Sequence, residues 1–318
     1  MRAIIVREFG GPDVLKVEDI AAPVPEPGQV LIRVKAIGVN PVDGYIRSGT
    51  YNRKPQLPYI PHTDIAGSVE SVAAGVTGIA PGDRVYAFGV AGGGAELAAV
   101  PQAQVQPLPP AVSFAQGAAI GVPYATAWRA LARAQPAEGE LVLVHGASGG
   151  TGIAAVQIAR ARGLRVFGTA GTAEGLALVR QQGAEEAFNH TDPDYRAQIL
   201  AASGGRGINI IVEMLANINL DHDLELLALR GRVVVVGNRG RVEIDPRKMM
   251  SKDGAILGFT LFNATPSELA EIHSGIGAGL ASGALRPVTG KEFPLGQAPQ
   301  AHTAVMASGA HGKILLIP

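Results

Sequence analysis

An apolar run that breaks into a cluster of glycines and resumes as a helix limits what this chain can fold into more than any other feature. Residues 141–157 read LVLVHGASGGTGIAAVQ. A strand is predicted over Leu141–His145, whose apolar run has the unbroken character of a strand buried on both faces. Gly146-Ala147-Ser148-Gly149-Gly150-Thr151-Gly152 follows, with a helix predicted to begin near Gly150. Glycines let the main chain turn tightly and approach a pyrophosphate, while the helix start offers free N–H groups and a positive dipole end. Gly152 lets that helix pack closely on the strand. Further strands are predicted at Arg165–Thr169, Glu186–His190, Ile208–Glu213, Arg232–Gly237 and Ala255–Leu261, with helical stretches between most of them. This alternation is how a doubly wound, parallel α/β sheet of the Rossmann kind reads in sequence, and it points to dinucleotide binding.

Ahead of this region the texture differs. Short apolar runs are punctuated by turn signals such as Pro27-Gly28 and Pro81-Gly82-Asp83. Val30, Ile32 and Val34 alternate with Leu31, Arg33 and Lys35, the two-residue period of a strand with one face inside. A helix is predicted from about Ser113, a suitable N-cap, to Arg133, with Gly117, Gly121 and Pro123 making its first half irregular. From Pro287 the chain returns to short strands and one helix, ending in Lys313–Ile317. A length of 318 residues suits two domains. The expected organisation is a β-rich substrate domain over residues 1–123 and 265–318, and a Rossmann dinucleotide-binding domain over 124–264.

Composition narrows the function. Basic and acidic residues number 27 each, and nucleic-acid or membrane-surface binding usually needs a basic surplus. With no cysteine, disulfides and thiolate-held zinc are excluded. No apolar stretch reaches about 18 residues, and MRAIIVREFGG lacks the apolar core of a signal peptide. The expectation is a cytoplasmic protein without a membrane span.

The tip of the second Rossmann strand bears on cofactor choice. NAD-preferring sites place Asp or Glu there to accept hydrogen bonds from the ribose hydroxyls. Here Gly168, Thr169, Ala170 and Gly171 form the tip and Glu174 falls a turn too late, so NADPH is favoured. His190, ending the third strand, is either a phosphate contact or an ordinary strand-end histidine. Asp192, Asp194, Asp221 and Asp223 lie in polar stretches and are read as solvated. The seven histidines show no paired metal-ligand spacing, and no GxSxG elbow occurs.

Five segments carry a family likeness: GVNPVDGYIRSGTY (38–51), VHGASGGTGIAAVQIARARGL (144–164), GTAGTAEG (168–175), EMLANINL (213–220) and VVVVGNRG (233–240). With them the whole chain resembles the zeta-crystallin-like quinone oxidoreductases, a zinc-free branch of the medium-chain dehydrogenase/reductase superfamily. The resemblance implies a GroES-like substrate domain beside the Rossmann domain. It implies NADPH-dependent reduction of quinones, by hydride or one-electron transfer, in a cleft between the two. Zinc-dependent relatives use a Cys where this chain has Asn40, and a Gly-His-Glu segment where it has His62-Thr63-Asp64. No metal is therefore expected, and His62 reads as a surface or packing histidine. By the same likeness Ser148, Gly149, Gly150 and Thr151 surround the pyrophosphate, and Gly171 and His190 lie at the adenosine phosphate. Asn219 and the loop Val236-Gly237-Asn238-Arg239 flank the ribose and nicotinamide. Asn40, Tyr45 and Tyr51 line the acceptor side as catalytic candidates, Tyr45 also touching the cofactor. Read from the residues alone, Asn40 is equally a cap for a helix starting at Pro41, and the tyrosines equally half-buried packing.

Two alternatives stay open: an NADPH-dependent enone or 2-alkenal reductase on the same scaffold, and a non-catalytic structural or RNA-binding role, for which no RNA-binding signature is present. A homodimer or homotetramer is expected. The run ILGFTLF (256–262) reads as a last strand whose bare apolar edge needs a cover.

Overall fold

The computed structural model describes all 318 residues, which divide into two compact units: Met1–Val122 with Pro287–Pro318, and Pro123–Arg286. In the first, a sheet runs in the order Thr289–Pro294, Lys313–Ile317, Gln29–Gly38, Asp64–Val72, Arg84–Ala87 and Val105–Pro107, with Leu97–Pro101 also paired to Gln29–Gly38. All neighbours are antiparallel except Thr289–Pro294 with Lys313–Ile317. The expected alternation holds. Val30, Ile32 and Val34 are buried in a core shared with Ile37, Ile65 and Leu316, while Arg33 and Lys35 face solvent. The returning tail enters as a middle strand, Leu315 opposite Gly38, so the unit is completed only when the last residues arrive.

The second unit is a six-stranded, wholly parallel sheet in the order Glu186–Asn189, Arg165–Ala170, Leu141–Val144, Ile208–Glu213, Leu227–Val235, Ala255–Gly258. The order reverses beside Leu141–Val144, and in open α/β sheets ligands sit at the carboxyl ends of the strands at such a switch point. All four residues of that strand are buried, as the unbroken apolar run predicts.

Three expectations shift. The helix read as one piece from Ser113 to Arg133 is two, Phe114–Ala118 and Gly121–Ala134. Ser113 caps the first, accepting from the Gln116 N–H at 3.1 Å. The second starts where the Val122 N–H meets the Asp64 carboxylate at 3.0 Å, and a Cβ on Gly121 would lie 2.4 Å from that carboxylate. The last Rossmann strand stops at Gly258, short of the expected Leu261. The Arg129 guanidinium takes the carbonyls of Thr260 and Asn263, which draws this segment out of the ladder into a short turn at Leu261–Asn263. The expected boundary at 264/265 also moves, to Arg286/Pro287. Helix Pro266–Ser282 belongs to the Rossmann unit: Gly275 packs flat on the Trp128 ring, and Glu268 pairs with Arg129 at 3.2 Å.

Candidate active site

In the Rossmann unit the turn after Leu141–Val144 is built by contacts that need glycine at two positions. Gly146 has φ +57°, in the left-handed region. A Cβ on Gly152 would lie 2.3 Å from the Gly146 carbonyl oxygen and 2.6 Å from the Ala147 Cα, so the helix Gly150–Ala161 sits directly on the turn. Gly149 is the N-cap, in extended conformation, and a Cβ there would meet only the Gly146 oxygen at 3.5 Å. Nothing in the packing forbids a side chain at 149, so its bareness leaves an open cradle above the helix's first N–H groups. The residues present fit a pyrophosphate. Ser148 is buried beside this turn.

The neighbouring strand tip is as short as the sequence suggests. A Cβ on Gly171 would stand 2.8 Å from the His190 Nε2, and the His190 N–H reaches the Ala170 carbonyl at 3.2 Å. The structure thus brings together the two residues assigned to the adenosine phosphate. Burial lowers the His190 pKa, with a smaller push from His145, so His190 is neutral near pH 7.

At the next strand end, Asn219 Nδ2 donates to the Glu213 carboxylate at 3.2 Å, and the N–H groups of Val236 and Gly237 both reach the Glu213 carbonyl, at 2.8 and 3.2 Å. Asn238 Nδ2 donates to the Gly240 carbonyl at 2.6 Å, and the Arg239 N–H to Asn217 Oδ1 at 2.9 Å. Of the five residues assigned to the nicotinamide side, Asn219 lies on the helix Ala216–Leu226, and the other four form a loop fixed by these bonds. Beneath them lies a cluster the sequence reading missed. His145 Nε2 is 2.9 Å from Asp223 Oδ1 and 3.7 Å from Glu213 Oε2, and its Nδ1 is 3.3 Å from the Thr169 hydroxyl. Asp223 is not a solvated loop residue: it lies in helix Ala216–Leu226 and is 1% exposed. Asp221, on the same helix, pairs with Lys248 at 2.5 Å.

In the other unit, helix Pro41–Arg47 carries the acceptor-side candidates. Asn40 is its N-cap and forms a capping box with Asp43, while its side chain also reaches beyond the helix. The Asn40 N–H is held by Asp43 Oδ2 at 2.8 Å, and the Asn40 side-chain amide makes two further bonds: Nδ2 donates to Asp64 Oδ2 at 2.8 Å, and Oδ1 accepts from Lys313 Nζ. Lys313 also pairs with Asp64 at 3.2 Å. Burial lowers the Lys313 pKa and raises that of Asp64, each partner's charge opposing the shift of the other. Tyr45 and Tyr51 are half-buried neighbours, the Tyr51 N–H donating to the Tyr45 carbonyl at 3.2 Å. His62 is a packing histidine in the deepest sense: 2% exposed, in a left-handed conformation (φ +69°), 3.3 Å from Asp43 Oδ2 and 3.4 Å from His302 Nε2. His302 is held neutral, burial driving its pKa down to about 3.

Residues 26–110 match the alcohol dehydrogenase GroES-like domain, and residues 150–274 the zinc-binding dehydrogenase family. The quinone oxidoreductase of Rattus norvegicus is 52% identical over 321 residues, covering 100% of this chain and 98% of that protein. The chain belongs to the quinone oxidoreductases of the medium-chain dehydrogenase/reductase superfamily. The human quinone oxidoreductase is 51% identical with the same coverage. The quinone oxidoreductase of Thermus thermophilus, also solved in complex with NADPH, superposes with a TM-score of 0.86 at 36% identity, covering 100% of both chains.

A family description that mentions zinc raises the question of whether this quinone oxidoreductase can hold it. The donor set does not fit. Where zinc-dependent relatives carry Cys and His, this chain has Asn40 and Thr63, and the Asn40 amide already serves Asp64 and Lys313. The local cation is the Lys313 ammonium, and a second cation beside it would be repelled.

Proposed function

We propose that this quinone oxidoreductase uses NADPH to reduce quinones without a metal ion, working as a cytoplasmic protein. The observation that carries the reading is the open glycine cradle at Gly149 beside an acid-free strand tip where Gly171 meets His190. Ser148, Gly149, Gly150 and Thr151 hold the pyrophosphate, and Gly171 and His190 the adenosine phosphate. Asn219, Val236, Gly237, Asn238 and Arg239 bound the ribose and nicotinamide. When bound, NADPH supplies the reducing equivalent; the chain orients it and excludes water. On the acceptor side Tyr45 and Tyr51 are the polar contacts, Tyr45 also reaching the cofactor, and Asn40 acts through the amide that Asp64 and Lys313 hold in place. A quinone is already a good electron acceptor and does not need a Lewis acid, whereas an enone gains more from a strong proton donor.

One panel tests this. NADPH absorbance is followed with para-quinones, with 2-alkenals and enones, and in reverse with saturated alcohols and NADP⁺. Quinones are expected to lead in kcat/KM and alcohols to give nothing; an alkenal ahead by about tenfold, roughly 1.4 kcal/mol in transition-state binding, overturns the quinone assignment. In the same panel Asn40→Ala and Tyr45→Ala should each cut turnover by about tenfold to a hundredfold, below the loss typical of a full oxyanion donor. His190→Ala should weaken NADPH more than NADH. A non-catalytic protein would show no turnover with any acceptor.

The reading includes a dimer paired through the sheet edge at Ala255–Gly258. That strand is the last of its sheet, and Leu229, Met250 and Phe262, near it in sequence or in sheet order, are exposed apolar side chains. Light scattering at micromolar concentration should give twice the chain mass; a clean monomer removes the proposal.

A further inference from the structure

We infer that Glu213 is a positioning residue for the dinucleotide loops, and that it does this as a neutral acid whose proton bridges to Asp223. The inference rests on the reading of those loops as the nicotinamide side. Glu213 is fully buried at the carboxyl end of Ile208–Glu213 and holds two loops at once. Its carbonyl takes the N–H groups of Val236 and Gly237, while its side chain takes the Leu215 N–H and Asn219 Nδ2. A change in its carboxyl therefore acts on Leu215 and Asn219, at the same strand end whose carbonyl holds the Val236-Gly237 loop.

The proton follows from counting donors. Asp223 Oδ1 has His145 Nε2 at 2.9 Å, but Asp223 Oδ2 is buried with no amide, amine or hydroxyl donor. His145, Glu213 and Asp223 each bring a polar atom within 4.8 Å of the others, and the Glu213 and Asp223 carboxyls are hydrogen-bonded to each other, so the Glu213 carboxyl is the group left to serve that oxygen. It can do so only if protonated. The alternative, a proton on His145, meets the wrong surroundings. The Thr169 hydroxyl accepts the Gly146 N–H at 3.2 Å, and the acceptor within reach of its own proton is His145 Nδ1, 3.3 Å away. His145 is then the neutral Nε2–H tautomer, with its lone pair turned to Thr169 rather than to the two carboxyls. That arrangement also leaves a cation no imidazole ligand in the cluster.

Electrostatics agree with the geometry. Burial raises the Glu213 pKa to about 8, with Asp223 adding to the rise and His145 opposing it. Burial lowers the His145 pKa. The other titratable groups facing the cluster are His190, which acts on His145, and Tyr195, which feels both acids. Neither supplies a fixed cation. Loss of the proton leaves two carboxylates in contact under a site that must take an anionic cofactor, so NADPH binding weakens as pH rises.

Fluorescence titration of NADPH into the full chain at about pH 6.5 and about pH 9 tests this, with Glu213→Gln as the variant. Gln keeps the acceptor oxygen and offers Asp223 a permanent N–H. Wild type should lose at least about fivefold in affinity across that range, and Glu213→Gln should lose less than about twofold. Equal losses overturn the inference. The proton is also read without cofactor, by carbon-13 NMR of carboxyl-labelled glutamate in the wild type. One resonance should titrate above about pH 6, and Asp223→Asn should move its midpoint down by removing the adjacent charge. Every glutamate titrating below about pH 6 overturns the inference whether or not Glu213→Gln folds. Failure to bind NADPH at either pH sinks the functional reading instead, and the NMR result then decides this one alone.

Discussion

Lys313→Met should destabilise the β-rich unit by about 3–5 kcal/mol, the usual cost of leaving one member of a buried ion pair alone. Lys313 is 4% exposed and Asp64 is fully buried. Without the ammonium, Asp64 keeps the Asn40 amide and the Val122 N–H but faces no positive charge, and its already raised pKa rises further. The sign of the pH dependence follows. An acid whose folded pKa lies above its unfolded one binds more protons when folded, so stability falls as pH climbs from the unfolded value through the folded one. The Lys313→Met deficit should therefore be larger at pH 8 than at pH 5. Adding Asp64→Asn should recover most of it, since the pair is then replaced by neutral groups. Trp128 is the sole tryptophan and lies in the Rossmann unit, so its fluorescence would miss the effect. Hydrogen exchange of the Lys313–Ile317 amides reads it directly. A deficit below about 1 kcal/mol at both pH values would show that the cluster is not an ion pair.

That cluster also shows where sequence reading ends. Asn40 as the residue before a helix at Pro41 was legible, because helix starts are local. Its engagement with Lys313 was not: the two are 273 residues apart and meet only because the tail enters as a middle strand. The Rossmann alternation was legible for the opposite reason. Buried parallel strands must be apolar throughout, and each of the six expected strands exists, with ends displaced by a few residues. Asp223 was misread because its polarity outweighed its phase. In helix Ala216–Leu226 it falls on the face of Leu220 and Leu224, three residues from one and adjacent to the other, and that face is buried. Only the neighbouring of Leu141–Val144 with Ile208–Glu213 gives it His145 and Glu213 as partners. The glycines at 149, 152 and 171 were legible as a group, though their reasons differ. Gly152 is bare because main chain lies against it and Gly171 because His190 does, whereas Gly149 meets only the Gly146 oxygen at an ordinary 3.5 Å.

The difference between those glycines yields the sharpest test of the cofactor site. Gly152→Ala should reduce NADPH affinity by about a hundredfold or more, about 2.7 kcal/mol, and should cost about 3 kcal/mol of stability or more, the upper range for overpacking. The added methyl would meet the Gly146 oxygen at 2.3 Å and the Ala147 Cα at 2.6 Å, both main-chain atoms with no rotamer to give way. Relief requires the helix Gly150–Ala161 to lift from the turn, which moves its first N–H groups away from any phosphate lodged at Gly149. Two controls separate this from a general intolerance of alanine. Gly277, exposed in helix Pro266–Ser282, has nothing within 4 Å of its would-be Cβ, so Gly277→Ala should leave binding unchanged and raise stability by roughly 0.5–1 kcal/mol through helix propensity. Gly149→Ala meets ordinary contacts only, so it should fold normally while still obstructing the cradle and weakening NADPH. Calorimetric titration of the three variants beside their thermal melts gives both quantities. If Gly149→Ala binds NADPH as the wild type does, the pyrophosphate does not lie over this helix start, and the cofactor assignment fails with it.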